Sequence, residues 1–471
     1  MSRLEISIQE FRDIAEKILG IAAEYLESLD ARPVFPGSNG DEVNGHFAGE
    51  LPEKGSGKEA LERLVEVVRH CRCQNGRFFG YVLGSGEPIA ATADLLASVL
   101  NQNVTAWRSG PAAITIERTV VGWLAQAIGC ASHTGNLTGG GSAANLMGLA
   151  MAREAKLFAN ERGLRDMPQA VVYASDQVHM SIPKAVALLG IGRANLRIVP
   201  SDGECRMIPQ ELHAAIQEDK KAGRVAAAVV ASAGTVNTGA VDPLMEIAEI
   251  AHGNDAWFHV DGAYGALAAI AHPDKFAGLQ MADSISLDPH KWLYQPLDCG
   301  CLLFRDAGVA QAAFSHTGDY ARSLSADPVE SFAFFEESLE LSRRFRALKL
   351  WLSLRYHGMA AFREAIQDDL AHAQRLAAAI RRQRELELVE PVTLSAVCFR
   401  YRGKHAPDDL NRLNAEILKN VVQRGRVYLS NASLAGTFYL RACFVNHRTK
   451  DSDVDAVIRE VLAAAKEAVS S

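Results

Sequence analysis

The chain has 471 residues, enough for two or three domains around a substantial hydrophobic core. Hydrophobic residues make up 48% and charged residues 22%, the proportions of a globular enzyme. The formal net charge of −7 provides no general attraction to nucleic acid or anionic membranes, so neither is a predicted partner. The sequence contains no apolar run of spanning length and no signal-peptide pattern, so we expect a cytoplasmic protein.

The eight cysteines include two close pairs, Cys71/Cys73 and Cys299/Cys301. Their C-x-C spacing differs from that of zinc sites and of C-x-x-C redox motifs. We therefore expect buried, reduced thiols, which pack as small hydrophobic side chains, and we predict no metal site.

The N-terminal region is predicted to be helical. Apolar residues recur at helical spacing between positions 4 and 19, and a second helical stretch lies around 60–71. The Pro- and Gly-rich residues 32–40 predict a loop between the two helices. Amphipathic helices on a long linker cannot bury their apolar stripes alone. We therefore predict that residues 1–85 pack on another subunit or domain.

The middle of the chain alternates between strand-like and helical patterns, from about residue 87 to residue 305. Clear strand-like runs are 170–174, 225–231, 257–260 and 301–304. This alternation predicts an α/β fold with a mostly parallel sheet covered by helices on both faces, in a large domain over 86–355.

The aperiodic stretch 314–338 predicts a lid or a disordered connector, because structureless segments of this length are uncommon in compact enzymes. A helix is predicted to resume over 341–351. Strand-like runs at 396–401 and 439–445 predict a smaller α+β domain over 356–471.

A Gly-rich turn is a candidate anion site. Residues 138–145, Thr-Gly-Gly-Gly-Ser-Ala-Ala-Asn, open a helical run at 146–158. Small residues let backbone N–H groups approach a phosphate, and a helix N-terminus favours its charge. Ser142 adds a hydroxyl donor that can also cap the helix. The motif alone is weak, because a plain turn has the same composition and neither the P-loop nor the dinucleotide fingerprint is matched.

Four further side chains follow successive strand-like runs: His179, Thr235, Asp261 and Lys291. Each alone has an ordinary structural explanation, such as a helix cap or a solvated basic residue. Together they fall at the carboxyl ends of strands, where open α/β sheets bind ligands. Pyridoxal phosphate needs a lysine for a Schiff base and a carboxylate that keeps its ring nitrogen protonated. We therefore predict that it binds between these side chains and the Gly-rich turn.

With these motifs, the chain resembles the group II pyridoxal-phosphate-dependent amino acid decarboxylases of fold type I, over about residues 77–449. The most specific motifs are His259-Val260-Asp261-Gly262-Ala263-Tyr264, Asp288-Pro289-His290-Lys291-Trp292 and Arg343-Arg344-Phe345-Arg346-Ala347-Leu348-Lys349. The resemblance implies the fold type I architecture and a homodimer with its active site at the subunit interface.

The resemblance also implies residue roles. Lys291 would be the Schiff-base lysine, Asp261 the partner of the pyridinium nitrogen, and His179 the ring that stacks on the cofactor. The remaining implied contacts are the phosphate ligands Gly141 and Ser142, Thr235 beside the cofactor, His290 near the phosphate and the substrate carboxylate, and Tyr81 and Thr105 at the substrate pocket, Thr105 from the partner subunit. Arg448 matches a structural arginine of the family.

Tyr320 lies in the aperiodic segment and matches the family's mobile-loop tyrosine, which closes over the site and protonates Cα after CO₂ leaves. A lid is physically sensible, because a carbanionic centre must be shielded from water. Family variants with Phe at this place release an aldehyde after oxidative deamination. Tyr320 together with His179 therefore implies simple decarboxylation.

Two departures from the family pattern bear on the substrate. Asp288 stands where aromatic amino acid decarboxylases carry Asn, and a carboxylate near a phosphate is unfavourable unless it points elsewhere or is hydrogen-bonded. Val82-Leu83-Gly84 replaces a Phe-Pro-Thr run, and Thr105 replaces a pocket Phe, which leaves fewer ring-stacking surfaces.

We predict decarboxylation of an L-amino acid, with aromatic substrates first and glutamate, aspartate or 2,4-diaminobutyrate as alternatives. An aldehyde synthase, an aminotransferase and a catalytically silent binding protein are further alternatives. A nicotinamide-dependent dehydrogenase is excluded, because Gly139-Gly140-Gly141 does not complete a G-x-G-x-x-G motif.

Overall fold

The computed structural model describes residues 4–316, 327–403 and 409–470. Residues 317–326, which include Tyr320 and the middle of the predicted lid, lie outside the described residues. Within the described ranges, no helix is both long and apolar enough to cross a lipid bilayer.

The larger sheet has seven strands in the order β1-β7-β6-β5-β4-β2-β3. Strand β7 is antiparallel to both of its neighbours, whereas the other neighbouring pairs are parallel. The prediction of a mostly parallel sheet is therefore confirmed. The strands are β1 (Thr134–Thr138), β2 (Ala170–Ser175), β3 (Leu196–Val199), β4 (Val225–Ser232), β5 (Trp257–Asp261), β6 (Ser284–Leu287) and β7 (Gly300–Phe304).

Helices cover both faces of this sheet. Alternate residues of one strand belong to different cores: Val229 packs in one hydrophobic cluster and Val230 in another. Every residue of β2, β5, β6 and β7 is buried, as expected for strands with both faces covered. The helices of this part are α4 (Pro88–Leu100), α5 (Pro111–Ala127), α6 (Gly141–Leu157), α7 (Ala159–Arg162), α8 (Ser181–Leu188), α9 (Pro209–Lys221), α10 (Leu244–Gly253), α11 (Pro289–Trp292) and α12 (Ala307–Phe314).

The N-terminal segment is helical, as predicted, and differs in detail. It contains α1 (Ile8–Glu27), α2 (Gly40–Phe47) and α3 (Leu64–His70), the last preceded by a 3-10 helix over Gly57–Arg63. Helix α2 was not predicted from the sequence. It begins where Asn39 accepts a hydrogen bond from the Glu42 N–H, a side-chain cap that ends the predicted loop.

The second sheet has four strands in the order β10-β11-β9-β8. Its elements are α13 (Ala347–Arg381), β8 (Leu386–Leu388), β9 (Ala396–Tyr401), α14 (Leu410–Arg424), β10 (Ser430–Leu434), β11 (Thr437–Cys443) and α15 (Asp451–Ser470). Helix α13 is interrupted at Gly358, where φ is +76°. The predicted division between residues 355 and 356 lies just before this interruption, and the domain bounds stay a prediction.

The prediction of a helix over 341–351 is wrong in its first half, because α13 begins at Ala347. Residues 341–346 are irregular for a physical reason. The backbone N–H of Arg343 donates to the side chain of Asn103, and the carbonyl of Arg343 accepts from the N–H of Val104. These backbone groups are bonded across the fold and are not available to a helix.

Arg343 forms a buried ion pair with Glu117 of α5, and both side chains are essentially inaccessible to solvent. The guanidinium also donates to the carbonyl oxygens of Val104 and Leu137, each within 2.9 Å, and lies 4.3 Å from the centroid of the Phe334 ring. The pair therefore links the segment before α13 to α5 and β1.

We expect Glu117→Ala to lower the free energy of unfolding by about 3–5 kcal/mol, because it leaves the Arg343 charge buried without a counterion. Glu62→Ala, which removes the exposed partner of Lys17, should cost less than about 1 kcal/mol. Urea denaturation of both variants measures the difference. Equal losses in the two variants would contradict the assignment of Arg343–Glu117 as a buried pair that the fold requires.

Candidate functional site

A cavity of about 590 Å³ lies at the carboxyl ends of the parallel strands. This is the edge at which open α/β sheets bind ligands. It brings together eight of the residues predicted from the sequence: Tyr81, Gly141, Ser142, His179, Thr235, Asp261, His290 and Lys291.

Asp261 ends β5, and its buried carboxylate accepts three hydrogen bonds. Ser286 Oγ donates to Oδ1 over 3.0 Å, the Ala263 N–H donates to Oδ1 over 3.3 Å, and Asn145 Nδ2 donates to Oδ2 over 3.0 Å. Three donors around one carboxylate satisfy its oxygens and fix its orientation. Asp261 therefore presents a firmly positioned carboxylate in the wall of the cavity.

A chain of hydrogen bonds leads from Trp257 to Asp261, and each group in it donates to the next. Trp257 Nε1 donates to Ser284 Oγ, which bonds His259 Nδ1 at 2.8 Å, and His259 Nε2 bonds Asn145 Oδ1 at 2.9 Å. Burial lowers the pKa of His259 to about 4, so its ring is neutral near pH 7. A neutral ring that accepts at Nδ1 donates at Nε2. This orientation leaves the amide nitrogen of Asn145 to donate to Asp261.

Lys291 lies in the short helix α11, directly after β6. Its Nζ is 2.9 Å from Oδ2 of Asp288, and its side chain is 18% exposed. Gly84 is needed beside it, because a Cβ at that position would lie 2.4 Å from the His290 carbonyl oxygen. Gly84 is the last residue of the Val-Leu-Gly run that replaces the family's Phe-Pro-Thr. At this glycine the backbone passes close to the backbone of His290 and Lys291.

Asp288, the unexpected carboxylate, points into the site. Its Oδ2 contacts both Lys291 and His290, the latter at 3.5 Å from Nε2, and its Oδ1 is buried without a hydrogen-bond partner among the described residues. A Cβ on Gly141 would lie 3.1 Å from Asp288 Oδ2, which places the carboxylate beside the Gly-rich turn. The sequence led us to expect a carboxylate that points elsewhere or is hydrogen-bonded, and the structure shows instead an ion pair with Lys291 inside the site.

The Gly-rich turn connects β1 to the start of α6. Gly140 has φ +137°, and a Cβ on Gly141 would lie 2.6 Å from the Cβ of Ala263. A side chain at Gly141 is therefore excluded, and bare backbone faces the cavity at a helix N-terminus. Ser142 adds its hydroxyl to the same wall.

The two histidines of the cavity are held as neutral rings. The Ser181 N–H donates to Nδ1 of His179, whose Nδ1 is also 2.8 Å from Ser181 Oγ, and the Cys299 N–H donates to Nδ1 of His290. Burial is the largest cause of the lowered pKa of each ring. Thr235 is fixed differently, by hydrogen bonds to Thr238 Oγ1 and from the Ala240 N–H.

Two predicted residues lie outside this cavity, and a third is not among the described residues. Thr105 does not line the cavity of its own chain; its carbonyl accepts from the Phe335 N–H. Tyr320 lies outside the described residues. Arg448 donates to the carbonyl oxygens of Ser85 and Gly86 over 2.8 Å, a purely structural contact.

Sequence reasoning missed Asn145, Ser286 and Arg441. Asn145 stands within the Gly-rich turn and Ser286 stands two residues before the Asp288–Trp292 motif, but only the fold brings them to Asp261. Arg441 lines the cavity from β11, where it donates to Val236 O and Ser430 Oγ. Its signal in the sequence is a single charge inside the apolar run Phe-Tyr-Leu-Arg-Ala-Cys.

The donor set fits pyridoxal phosphate. A lysine amine, an oriented carboxylate and a turn whose glycine cannot carry a Cβ face one cavity, which is what the aldehyde, ring nitrogen and phosphate of that cofactor require. Lys291, Asp261 and the Gly141–Ser142 backbone would hold these three groups.

Comparison with known proteins agrees with this fit. The family described as the pyridoxal-dependent decarboxylase conserved domain matches residues 58–402. An aromatic-L-amino-acid decarboxylase of Bacillus atrophaeus is 34% identical over 98% of this chain and 97% of its own length. Tryptophan decarboxylase 1 of Oryza sativa subsp. japonica is 30% identical over 93% of this chain and 90% of its own.

Solved structures agree as well. The Oryza sativa TDC structure with PLP and tryptamine has a TM-score of 0.92 at 28% identity, covering 99% of both chains. The mouse CSAD structure in apo form has a TM-score of 0.90 at 26% identity, covering 98% of this chain and 99% of that chain.

We expect Asp288→Asn to lower the Kd for pyridoxal phosphate about tenfold, equivalent to about 1.4 kcal/mol. The substitution removes a negative charge beside the phosphate-binding turn and frees the Lys291 amine from its ion pair. Titration of cofactor-free protein, followed by visible absorbance, measures this Kd. Asp255→Asn, at an exposed carboxylate, is the matched control. Weaker binding by Asp288→Asn would show that the carboxylate supports the cofactor.

Proposed function

The chain belongs to the pyridoxal-dependent decarboxylase family and is a pyridoxal-phosphate-dependent amino acid decarboxylase, and we propose that it converts an aromatic L-amino acid to its amine and CO₂. The observation that carries the substrate class is the composition of the cavity mouth. Tyr81, Val82 and Leu297 form an apolar rim beside Lys291, and Tyr81 and Leu297 are half or more exposed. An apolar rim suits an aromatic side chain. The relatives named for aromatic or tryptophan decarboxylation support the same class.

Bound pyridoxal phosphate supplies an electron sink for the pair of electrons left at Cα when the carboxylate departs as CO₂. Asp261 would be the partner of the ring nitrogen, and its three donors hold the carboxylate in one orientation. Lys291 supplies the amine that holds the cofactor. His179, whose half-buried ring has a lowered pKa, would offer a flat face to the cofactor ring. Tyr320, by resemblance, delivers the proton to Cα.

A second substrate class is favoured by Arg441. Its guanidinium in the cavity wall would pair with the second carboxylate of aspartate or glutamate. Two of its donors are already bonded to Val236 O and Ser430 Oγ, which fixes the planar group in place. An acidic L-amino acid is therefore the alternative substrate.

We further propose that the enzyme is a homodimer. All twenty residues of α1 are described, and none of them is buried. Its apolar stripe includes the exposed side chains Ile8, Phe11, Ile18, Leu19 and Leu26. An isolated helix with such a stripe gains little from its own chain, so a second copy is the occupant that best covers it. Thr105 would then lie near the partner's cavity, as the resemblance implies.

The function is tested by measuring CO₂ release from protein loaded with pyridoxal phosphate, using L-tryptophan, L-tyrosine, L-phenylalanine, DOPA, L-glutamate, L-aspartate and 2,4-diaminobutyrate, with products identified by mass. We expect an amine from an aromatic substrate. Lys291→Ala should lower the rate about 10³-fold or more, whereas Lys275→Ala, at an exposed lysine, should leave it unchanged.

The same assay separates the alternatives. If only an acidic substrate gives an amine, the alternative substrate class, bound by Arg441, is supported. Release of an aldehyde with ammonia would indicate an aldehyde synthase. Tyr320→Phe should divert product from amine to aldehyde, and an unchanged amine yield would remove Tyr320 from its role. Turnover retained in Lys291→Ala would overturn the assignment of the lysine.

The dimer is tested by sedimentation velocity. Leu19→Glu places a charge in the apolar stripe of α1 and should shift the protein toward monomer. Glu24→Lys, a charge change on the opposite face of the same helix, should leave the dimer intact. A wild-type chain that sediments as a monomer would refute the proposal.

A further inference from the structure

A second group of ligating side chains lies in the N-terminal segment. Glu42 and His46 stand one turn apart on α2, and His70 ends α3. One ligand atom from each of the three lies within 4.8 Å of the others. The His46 and His70 rings are close, with centroids 4.6 Å apart.

His70 is the side chain that points to a ligand. It is only 4% exposed, yet its Nε2 has no hydrogen-bond partner among the described residues. Its other nitrogen, Nδ1, is 2.7 Å from Ser38 Oγ. Metal-binding histidines usually have this arrangement, with one nitrogen held by a neighbour and the other left for the ion. A buried ring nitrogen without a partner is otherwise unfavourable.

A fourth ligand is within reach. Oε2 of Glu66 lies 3.6 Å from His70 Nε2, and the Glu66 carboxylate is also bonded by Arg69. We propose that Glu42, His46 and His70 bind a divalent transition metal, with Glu66 or water completing the shell. Two imidazoles with carboxylate oxygens are a donor set typical of Zn²⁺.

The geometry closes with small side-chain movements. Zn²⁺ binds nitrogen and oxygen at about 2.0–2.1 Å, so tetrahedral ligand atoms stand roughly 3.3 Å apart. The three ligand atoms now lie within 4.8 Å of one another. Each pair therefore needs to approach by at most about 1.5 Å to reach the tetrahedral spacing. Glu42 is exposed and can turn toward the histidines without disturbing packing.

Bound Zn²⁺ would join two helices that are weakly held. No residue of α2 or α3 is buried, and both helices lie entirely within the described ranges. Metal ligation would replace part of the missing hydrophobic packing, because metal binding to a folded site adds directly to its stability. This structural role is separate from decarboxylation and does not rest on it.

The site is tested on the full chain, without a polyhistidine tag and with pyridoxal phosphate bound. After treatment with EDTA, the protein is dialysed against micromolar Zn²⁺, and bound metal is measured by plasma mass spectrometry. We expect one equivalent per chain. Affinity should fall at least about tenfold in His46→Gln and in His70→Gln, because each removes one ligand. His213→Gln, at an exposed histidine of α9, should bind as the wild type does.

Hydrogen exchange provides the second measurement. Zn²⁺ should slow amide exchange over residues 40–70 in the wild type and not in the two ligand variants. Unchanged circular dichroism and cofactor absorbance in those variants would show that they fold. Equal Zn²⁺ binding by the wild type and both ligand variants, or no slowing of exchange over 40–70, would overturn the site.

Discussion

The hydrogen bonds that hold the Asp261 carboxylate are the interaction on which this site depends. A buried carboxylate is unfavourable unless donors satisfy it, and three donors do so here. One of them, Asn145, belongs to α6, the helix that the Gly-rich turn opens. The same helix therefore positions the Gly-rich turn, which is the predicted phosphate site, and orients the acid. Pyridoxal phosphate needs an anion-binding turn and a carboxylate at a fixed distance from it. Helix α6 would set that distance, because it begins at the turn and also carries Asn145, which holds Asp261.

Charge organises a second group of side chains in the same cavity. Lys291 and Asp288 neutralise one another in a pocket whose two histidines are neutral. A carboxylate at this position fixes the lysine side chain, yet it stands beside the turn that receives an anion. The family's Asn would avoid that repulsion but could not pair with the lysine charge. The chain thus has a stronger lysine contact and a less favourable phosphate environment.

The N-terminal segment obeys a different constraint from the rest of the fold. Strands β2, β5, β6 and β7 of the larger sheet are completely buried, whereas α1, α2 and α3, all fully described, contain no buried residue. Short helices are marginal in water without tertiary packing. Contacts from a second copy, proposed for α1, and ligation by a metal, proposed for α2 and α3, would both act on this segment. Both would stabilise the part of the chain that its own core does not.

The sequence by itself determined the α/β class and the order of the cofactor-binding motifs, because hydrophobic periodicity locates strands and open α/β sheets bind ligands at the carboxyl ends of those strands. It also made Lys291 and Asp261 the predicted partners of the cofactor. Sequence patterns did not predict features that depend on contacts between residues far apart in the chain. The start of α13 is set by Asn103 and Val104, which occupy the backbone groups of Arg343. Helix α2 begins at a side-chain cap, Asn39, which lies inside the Pro- and Gly-rich stretch that predicted a loop.

Only the tertiary structure decided how Asp288 points, that Asn145 and Ser286 hold Asp261, and that Arg441 enters the cavity. The contacts of Asn145 and Ser286 with Asp261 span 116 and 25 residues of the chain, and periodicity carries no information about such contacts. The grouping of Glu42, His46 and His70 is of the same kind. Local pattern predicts elements, whereas the packing of those elements decides which polar groups meet.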